Sequence, residues 1–311
     1  MTAKLSTGTP APAKLYGRRW HLQPYAWIAP ALLVFGLFTL LPVAVGLLLS
    51  CSDWNGTAVP AFNGISNYRQ AFLDGTYWSA IVHNIIYAVG TVAAKILLGL
   101  GLALVMNRTL PGRAAFRTAL FMPVMLSFVA IGLLWSWIYN YNFGLLNGVL
   151  DFLQLGWLKQ DWLGNPFSAL YALMVVDVWK WFGLHMVLFL AGLQNIPSEL
   201  YEAARIDGAM SWQSFRWITL PLLLPVTAFN IVLAAAGAFN VFDLVYVMTQ
   251  GGPVDATNVA MTDLYREAFQ FYHFGYSAAL SLVQLVIVTA VSLGILFVIG
   301  RRGKVLGEEL A

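Results

Sequence analysis

Charged residues are scarce in this sequence. Asp, Glu, Lys and Arg make up 10% of its 311 residues, whereas hydrophobic residues make up 59%. A soluble domain carries roughly 25% charged residues, so this composition cannot supply the polar shell that water requires. In lipid only helices and closed β-barrels satisfy the backbone hydrogen bonds. Barrel strands would alternate in polarity, but the apolar runs here are long and do not alternate. We therefore predict an all-α integral membrane protein.

Motifs for catalysis, nucleotide binding and metal binding are missing as well. The single cysteine, Cys51, excludes an intrachain disulfide and any site built from several cysteines. The sequence has no GxxxxGK[ST] phosphate-binding loop, no HExxH and no GxSxG, and its four histidines are far apart. The net charge of +3 is too small to indicate nucleic acid binding. We expect no catalytic residue, no metal and no cofactor on this chain.

Long apolar runs predict the membrane spans. A helix needs about 20 apolar residues to cross a bilayer, and six stretches reach that length. The first 24 residues are polar and rich in Thr, Ala, Pro and Lys, and we interpret them as a tail rather than a signal peptide. The expected spans, first to sixth, are Tyr25 to Ser50, Ile85 to Met106, Thr118 to Tyr139, Ala169 to Leu193, Leu220 to Met248 and Tyr276 to Gly300.

The distribution of Lys and Arg predicts the orientation. Twelve of the 17 basic residues fall in the two terminal segments and in the second and fourth connections. By the positive-inside rule, both termini and these connections are cytoplasmic. The other connections are long and aromatic, which predicts either an interfacial belt or contact with a partner on the outer face. Their aromatic residues are Trp54, Tyr68, Tyr77, Trp78, Trp157, Trp162, Tyr265, Phe269, Phe271 and Tyr272.

The fourth connection, residues 195–221, is longer than a turn between two spans needs to be, and we call it the elbow. Ser198 could cap a first short helix that Gly208 would end. Ser211 could cap a second helix with an aromatic face. On physical grounds alone, an interfacial helix lying on the lipid is an equal alternative.

The spacing of residues in the elbow resembles a known signature. Glu202, Ala203 and Ala204, then Gly208, then Ile218, Leu220 and Pro221 match the EAA motif of permease subunits of binding-protein-dependent ABC importers. The likeness extends to the sugar-uptake branch (maltose, multiple-sugar and glycerol-3-phosphate permeases). Its further matching segments are Asn63 to Tyr68, Trp78, Asn84, Asn107, Arg108, Gly112, Arg117, Pro123, Trp135, Gly144 to Asn147, Phe242 to Thr249 and Gly251 to Pro253.

This resemblance implies a six-helix type I importer permease fold with a cytoplasmic coupling helix. The domain layout would be a tail at 1–24, a permease domain at 25–300 and a second tail at 301–311 in a bacterial or archaeal cell membrane. The implied partners are a second, different permease, two cytoplasmic ATPase subunits that bind the ATP, and an extracytoplasmic solute-binding protein. The residues implied to contact the ATPase are Glu202, Ala203, Ala204, Arg205, Asp207 and Gly208.

Four charged residues fall inside the predicted spans, where an unpaired charge costs at least about 2.5–3.5 kcal/mol. Asp177 and Lys180 are three residues apart, so they could pair with each other. Alternatively, Asp177, Trp181, Asn240 and Asp243 line a path for a sugar, which polar groups and aromatic faces would bind. Lys95 is expected to snorkel or to pair with a neighbouring subunit.

Other classes of membrane protein fit the sequence less well. A secondary transporter would show internal repeats, and a membrane-embedded enzyme would need a reactive group of residues; neither is found. Glycerol phosphate remains the main alternative to a sugar as the solute.

Overall fold

The computed structural model describes residues 23–57, 59–108 and 111–309, and side chains within 27–57, 59–108 and 111–298. Residues 1–22 of the predicted N-terminal tail lie outside the described residues. The described part is almost entirely helical. Its α-helices are α1 Gln23–Phe35, α2 Leu41–Ser50, α3 Ser66–Leu73, α4 Gly75–Met106, α5 Arg113–Met125, α6 Phe128–Ile138, α7 Leu145–Phe152, α8 Ala169–Gln194, α9 Ser198–Ile206, α10 Ser211–Ser214, α11 Leu220–Leu222, α12 Leu224–Phe239, α13 Asp243–Met248, α14 Ala260–Tyr265 and α15 Phe274–Glu309.

Short irregular turns and one small hairpin complete the described structure. Wider π-helical turns join α1 to α2 and α10 to α11, and a third follows α14. One 3₁₀ turn follows α7. Strands β1 (Ser52–Asp53) and β2 (Ala61–Phe62) pair antiparallel, with Ser52 opposite Phe62.

Four helices are long and apolar enough to cross a membrane, and two bent pairs raise the number to six if each pair is one span. The four are Trp27–Ser50, Gly75–Met106, Ala169–Gln194 and Phe274–Val298. The second span therefore begins ten residues earlier than predicted, and the sixth belongs to a helix that continues to Glu309 through most of the predicted C-terminal tail. Four of the six predicted stretches are thus continuous helices.

The predicted third span is not one straight helix. α5 and α6 meet at an angle of 99°, where Leu126 leaves the helical conformation and the Ser127 hydroxyl accepts a hydrogen bond from the Ala130 N–H (3.2 Å). A serine cap starts a new helix, and Pro123 inside α5 removes one backbone donor just before the break.

The predicted fifth span also ends early, at Phe239 instead of Met248. Three side-chain amides hold the last carbonyls of α12: Asn240 donates to Ala236 O (2.8 Å), Asn84 to Ala238 O (3.1 Å) and Gln284 to Phe239 O (2.8 Å). These donors come from α4, from α15 and from the residue that follows α12. A helix end away from water needs such partners, so the helix stops there without leaving those carbonyls unsatisfied.

The core forms where α8 packs between α4, α5 and α12. Glycines permit the closest approaches: a Cβ at Gly99 would lie 2.8 Å from the His185 Cβ, and a Cβ at Gly183 would overlap the Leu120 carbonyl oxygen. α1 and α2, in contrast, lie at the periphery, where α2 contacts α15.

The two ends of the molecule differ in character. The last turn of α4 lies beside the elbow, because Asn107, Arg108 and Tyr201 line one cavity. The 32 residues of α4 span about 48 Å, which places α3, the hairpin and the start of α15 at the opposite end.

Tyr77 at that end is fully buried and its hydroxyl donates to Leu280 O (3.3 Å). The expectation that Tyr77 belongs to an exposed interfacial belt is therefore wrong.

We expect Gly99→Ala to lower the stability of the purified protein by about 1–3 kcal/mol, because the added methyl group overpacks the contact with α8. Gly101→Ala is the matched control on the same helix, since a Cβ there meets nothing within 4 Å. The measurement is the thermal unfolding midpoint in detergent. Equal midpoints for the two variants would contradict the packing argument.

Candidate functional site

A cavity of about 400 Å³ lies between α8, α12 and the start of α13. All four residues of the predicted solute path line it: Asp177, Trp181, Asn240 and Asp243. Lys95, Phe128, His185 and Phe242 also contribute to its wall. The break after α12 is what turns Asn240 and Asp243 towards this cavity, because both follow the last helical residue of α12.

A buried ion pair forms one side of the cavity. Lys95 Nζ of α4 lies 2.5 Å from Asp177 Oδ2 of α8, and the two residues are only 3% and 4% exposed. The expectation that Lys95 snorkels or pairs with another subunit is wrong, because its partner is in this chain. A charge in a low-dielectric interior is tolerated when it is paired, so each of these residues explains the presence of the other.

The predicted pairing of Lys180 with Asp177 is also wrong, because Lys180 contacts other groups. Its ammonium group donates to the carbonyl oxygen of Leu126 (2.5 Å) and to that of Val124 (3.3 Å), at the end of α5. It also lies 4.7 Å from the centre of the Phe128 ring. Carbonyls at a helix C-terminus carry partial negative charge and lack partners. The bend between α5 and α6 presents them to Lys180, and this geometry has no local signature in the sequence.

A second buried polar pair extends the wall of the cavity. His185 Nδ1 of α8 lies 2.8 Å from Asn230 Oδ1 of α12, and both residues are almost fully buried. Because the Asn230 amide nitrogen donates to Val226 O (2.9 Å), the His185 Nδ1–H is the donor to the Asn230 oxygen. Sequence analysis missed this pair, although a histidine and an asparagine inside predicted spans were a usable signal.

Asn240 and Asp243 occupy the open side of the cavity. Both residues are exposed in this chain, and so are Leu233 and Gly237 along the same side of α12. Trp181 is half-buried and its ring lies 6.0 Å from that of Phe128. Trp179, the other tryptophan beside Lys180, instead packs in the core against Trp135 at 5.6 Å. The open side therefore combines a carboxylate and an amide with aromatic faces.

The loop that follows α13 is held rigidly beside this break. Asn84, which caps α12, also accepts a hydrogen bond from the Ala260 N–H (2.8 Å). Asn258 donates to the Asp263 carboxylate (3.0 Å) and accepts from the Thr262 hydroxyl (2.8 Å). Burial raises the pKa of Asp263 above its usual value. One asparagine thus connects the end of α12 to a buried polar network.

The elbow projects from the other end of the molecule. α9 ends in a Schellman motif: Gly208 adopts φ +77°, its N–H donates to Arg205 O (3.1 Å), and the Ala209 N–H donates to Ala204 O (2.8 Å). The predicted glycine terminus is confirmed. The predicted caps are not, because Pro197 and Met210 occupy the cap positions and Ser198 and Ser211 are the first helical residues.

The residues predicted to contact an ATPase lie together on the elbow. Glu202, Ala203, Arg205, Asp207 and Gly208 are exposed and Ala204 is half-buried. Large apolar side chains are exposed around them, with Ile206 at 87%. A hydrogen bond of 2.9 Å between the hydroxyls of Tyr201 and Thr219 fixes α9 against the π-turn before α11. Beneath α9 lies a cavity of about 640 Å³ that includes Arg108 and Arg205 in its wall. The elbow is thus a projection that the Tyr201–Thr219 hydrogen bond holds in place and whose outer surface is exposed.

In the described part of the chain, no group of three or more His, Cys, Asp or Glu side chains is placed to hold a metal ion. A family model described as the inner membrane component of binding-protein-dependent transport systems matches residues 95–302. The chain belongs to this permease family.

Relatives along nearly the whole length support the assignment. The permease is 36% identical over 269 residues to the trehalose/maltose transport system permease protein MalF of Thermococcus litoralis, covering 85% of this chain and 89% of that protein. It is 33% identical over 303 residues to the arabinooligosaccharides transport system permease protein AraP of Bacillus subtilis, covering 93% and 95%. These relatives confirm the resemblance to the sugar-uptake branch.

A solved structure confirms the type I importer permease fold. The permease superimposes on a chain of a bacterial alginate ABC transporter, crystallised in complex with an alginate pentasaccharide-bound periplasmic protein, with a TM-score of 0.79 and 22% identity. The match covers 92% of this chain and 96% of that chain.

We expect Lys95→Met and Asp177→Leu to be strongly destabilising as single substitutions, by about 3–5 kcal/mol, because each leaves one buried charge without a partner. The double variant removes both charges and should regain most of the lost stability. Thermal unfolding of the purified permease in detergent measures this. Additive losses in the double variant would show that the two side chains do not stabilise each other.

Proposed function

We propose that this permease is one of two membrane subunits of an ATP-driven importer for a neutral carbohydrate. The solute arrives from an extracytoplasmic binding protein at the end opposite the elbow. Two cytoplasmic ATPase subunits, one of which contacts the elbow, hydrolyse the ATP. Both termini then lie in the cytoplasm of a bacterial or archaeal cell. The observation that carries the proposal is the cavity containing Asp177, Trp181, Asn240 and Asp243.

The charge balance of the cavity favours a neutral solute. Lys95 is neutralised by Asp177, and Lys180 is engaged by backbone carbonyls. Neither lysine is free to bind a phosphate or a carboxylate. Asp243 adds an exposed carboxylate at the open side, which would repel an anion. Hydroxyl groups can donate to that carboxylate, and the C–H faces of a sugar can stack on Trp181. The names of the sugar-transporting relatives agree with this solute class.

A second permease would close the cavity. The exposed side of α12, which carries Leu233, Gly237 and Asn240, leaves the cavity open towards whatever lies beside this chain. Exposed polar residues next to apolar ones in a predicted span are expected to face protein or a water-filled path rather than lipid. A partner subunit packed there would complete a path between the two chains.

The elbow supplies a suitable contact for an ATPase subunit. Its alanines permit close approach, its charged residues can form polar contacts at the edge, and its exposed apolar residues can be buried by a partner. The Schellman turn and the Tyr201–Thr219 hydrogen bond hold its shape. Such a rigid projection can transmit movement to the membrane spans.

We expect Asn240→Ala and Asp243→Ala each to lower uptake by about five- to 150-fold while leaving assembly intact, because each loses a polar contact worth about 1–3 kcal/mol. Uptake is measured in cells that express the whole transporter, with labelled neutral sugars, a uronate and glycerol 3-phosphate. Asn142→Ala, at an exposed asparagine away from the cavity, is the control. Normal uptake in both cavity variants, or uptake of glycerol phosphate alone, would reject the proposed path or solute.

We expect Glu202→Arg to lower co-purification of the ATPase subunit by at least about tenfold, because a charge at a docked surface would be reversed. Asp53→Arg is the control, since Asp53 is also exposed but lies in β1 at the opposite end. Pull-down from detergent extracts, with the ATPase quantified against the permease, gives the readout. Undiminished ATPase binding by Glu202→Arg would place the docking site elsewhere.

A further inference from the structure

Six aromatic rings form one connected series, and one of them, Phe242, lines the cavity. Successive ring centres are 5.1–5.9 Å apart, and Tyr246 also contacts Tyr265 at 4.9 Å, so the last three rings form a triangle. Phe242 itself lines the cavity beside Asn240 and Asp243. We call this series the aromatic track. In order from the hairpin end, its members are Trp54, Phe274, Phe269, Tyr265, Phe242 and Tyr246.

The track starts at the end of the molecule opposite the elbow. Trp54 follows strand β1, and Phe274 begins α15. Gly56 lies against the Phe274 ring and fixes it, because a Cβ at Gly56 would be 2.7 Å from Phe274 Cε2. Along the track Phe269 is 58% exposed, and the other five rings are half-buried. The rings are therefore held in place by their neighbours while part of each side chain stays accessible, and Phe242 and Tyr246 stack on each other.

Polar groups accompany the rings. Arg266 and Glu267 lie in the same π-turn as Phe269. Arg266 forms an ion pair with Asp255, and Glu267 binds His273 Nδ1 at 2.9 Å. These side chains offer hydrogen-bonding atoms next to the rings, and Asp255 balances the charge of Arg266. Such a surface suits hydroxyl groups.

From this arrangement we infer that the aromatic track is a binding surface for an extended neutral oligosaccharide, which it guides into the cavity. The inference rests on the proposed function and adds a second carbohydrate-binding surface to it. The face of an aromatic ring carries negative potential, which attracts the C–H groups on the apolar face of a sugar ring. A file of rings offers repeated equivalent positions, so a chain of sugars can advance without a deep energy minimum at any one position.

An interfacial belt for lipid is the alternative explanation of these aromatic residues. A belt distributes tryptophan and tyrosine around the circumference of a membrane protein. The track is instead one connected series of touching rings, and it includes Phe242 of the polar cavity wall. These two features are expected of a substrate path and are not required of a lipid belt.

The test compares a short and a long sugar in the same transporter. The permease is reconstituted in proteoliposomes with the second permease, the ATPase subunits and the binding protein, and uptake is followed with maltose and maltopentaose and with the corresponding arabinose oligomers. We expect Phe269→Ala and Tyr265→Ala to lower kcat/KM for the pentasaccharide about three- to tenfold and to leave uptake of the disaccharide nearly unchanged. Phe269→Trp keeps an aromatic face and should retain pentasaccharide uptake.

Phe271→Ala is the matched control. Phe271 is 54% exposed and lies in the same segment, but its ring contacts His273 and not the track. Equal losses for both sugar lengths, unchanged pentasaccharide uptake in Phe269→Ala, or a wild-type transporter that carries only the disaccharide would each overturn the track. A wild-type transporter that takes up a uronate or glycerol 3-phosphate but no neutral sugar would overturn the proposed function itself, and the track with it.

Discussion

A helix that ends between membrane spans leaves carbonyl groups that lipid cannot solvate. α12 meets this constraint with three amide side chains, from Asn84, Asn240 and Gln284, that bond its last turn. Because those bonds are made, the backbone is free to change direction at Asn240. The change of direction opens the cavity and places Asn240 and Asp243 on its accessible side. Asn84 also holds the loop before α14, so the same residue stabilises the break and the segment that carries the aromatic track.

The buried charges follow the same rule of internal compensation. Lys95 and Asp177 join α4 to α8, and Lys180 joins α8 to the end of α5. His185 and Asn230 join α8 to α12. α8 thus contributes one residue to each of these polar contacts in the interior. These contacts orient the helices around the cavity. They also engage Lys95 and Lys180, so neither lysine is left to bind an anionic solute.

Composition and run length were enough to predict a helical membrane protein and four of its continuous spans, because both follow from the solvation of side chains. The breaks at Ser127 and Asn240 were missed, since the residues on either side are equally apolar and the partners that permit a break come from distant helices. The pairing of Asp177 was assigned to Lys180 for the same reason: spacing along one helix is visible in a sequence, whereas Lys95 on another helix is not. The four residues predicted to line a solute path nevertheless line one cavity, because polar side chains in apolar spans are rare enough to mark such a place.

The elbow and the cavity are the two ends of one stretch of chain. Residues 211–222 leave the elbow, bend by 65° into α12, and α12 ends at the cavity wall. The Tyr201–Thr219 hydrogen bond couples α9 to this stretch, and a close-packed helix responds to a push as a body rather than by local deformation. We expect a displacement of α9 to act first on residues 211–222 and to reach Asn240 only through the 65° bend before α12. The end of α12 is held by three side-chain hydrogen bonds and not by a continuing helix, so we expect such a movement to change the shape of the cavity there.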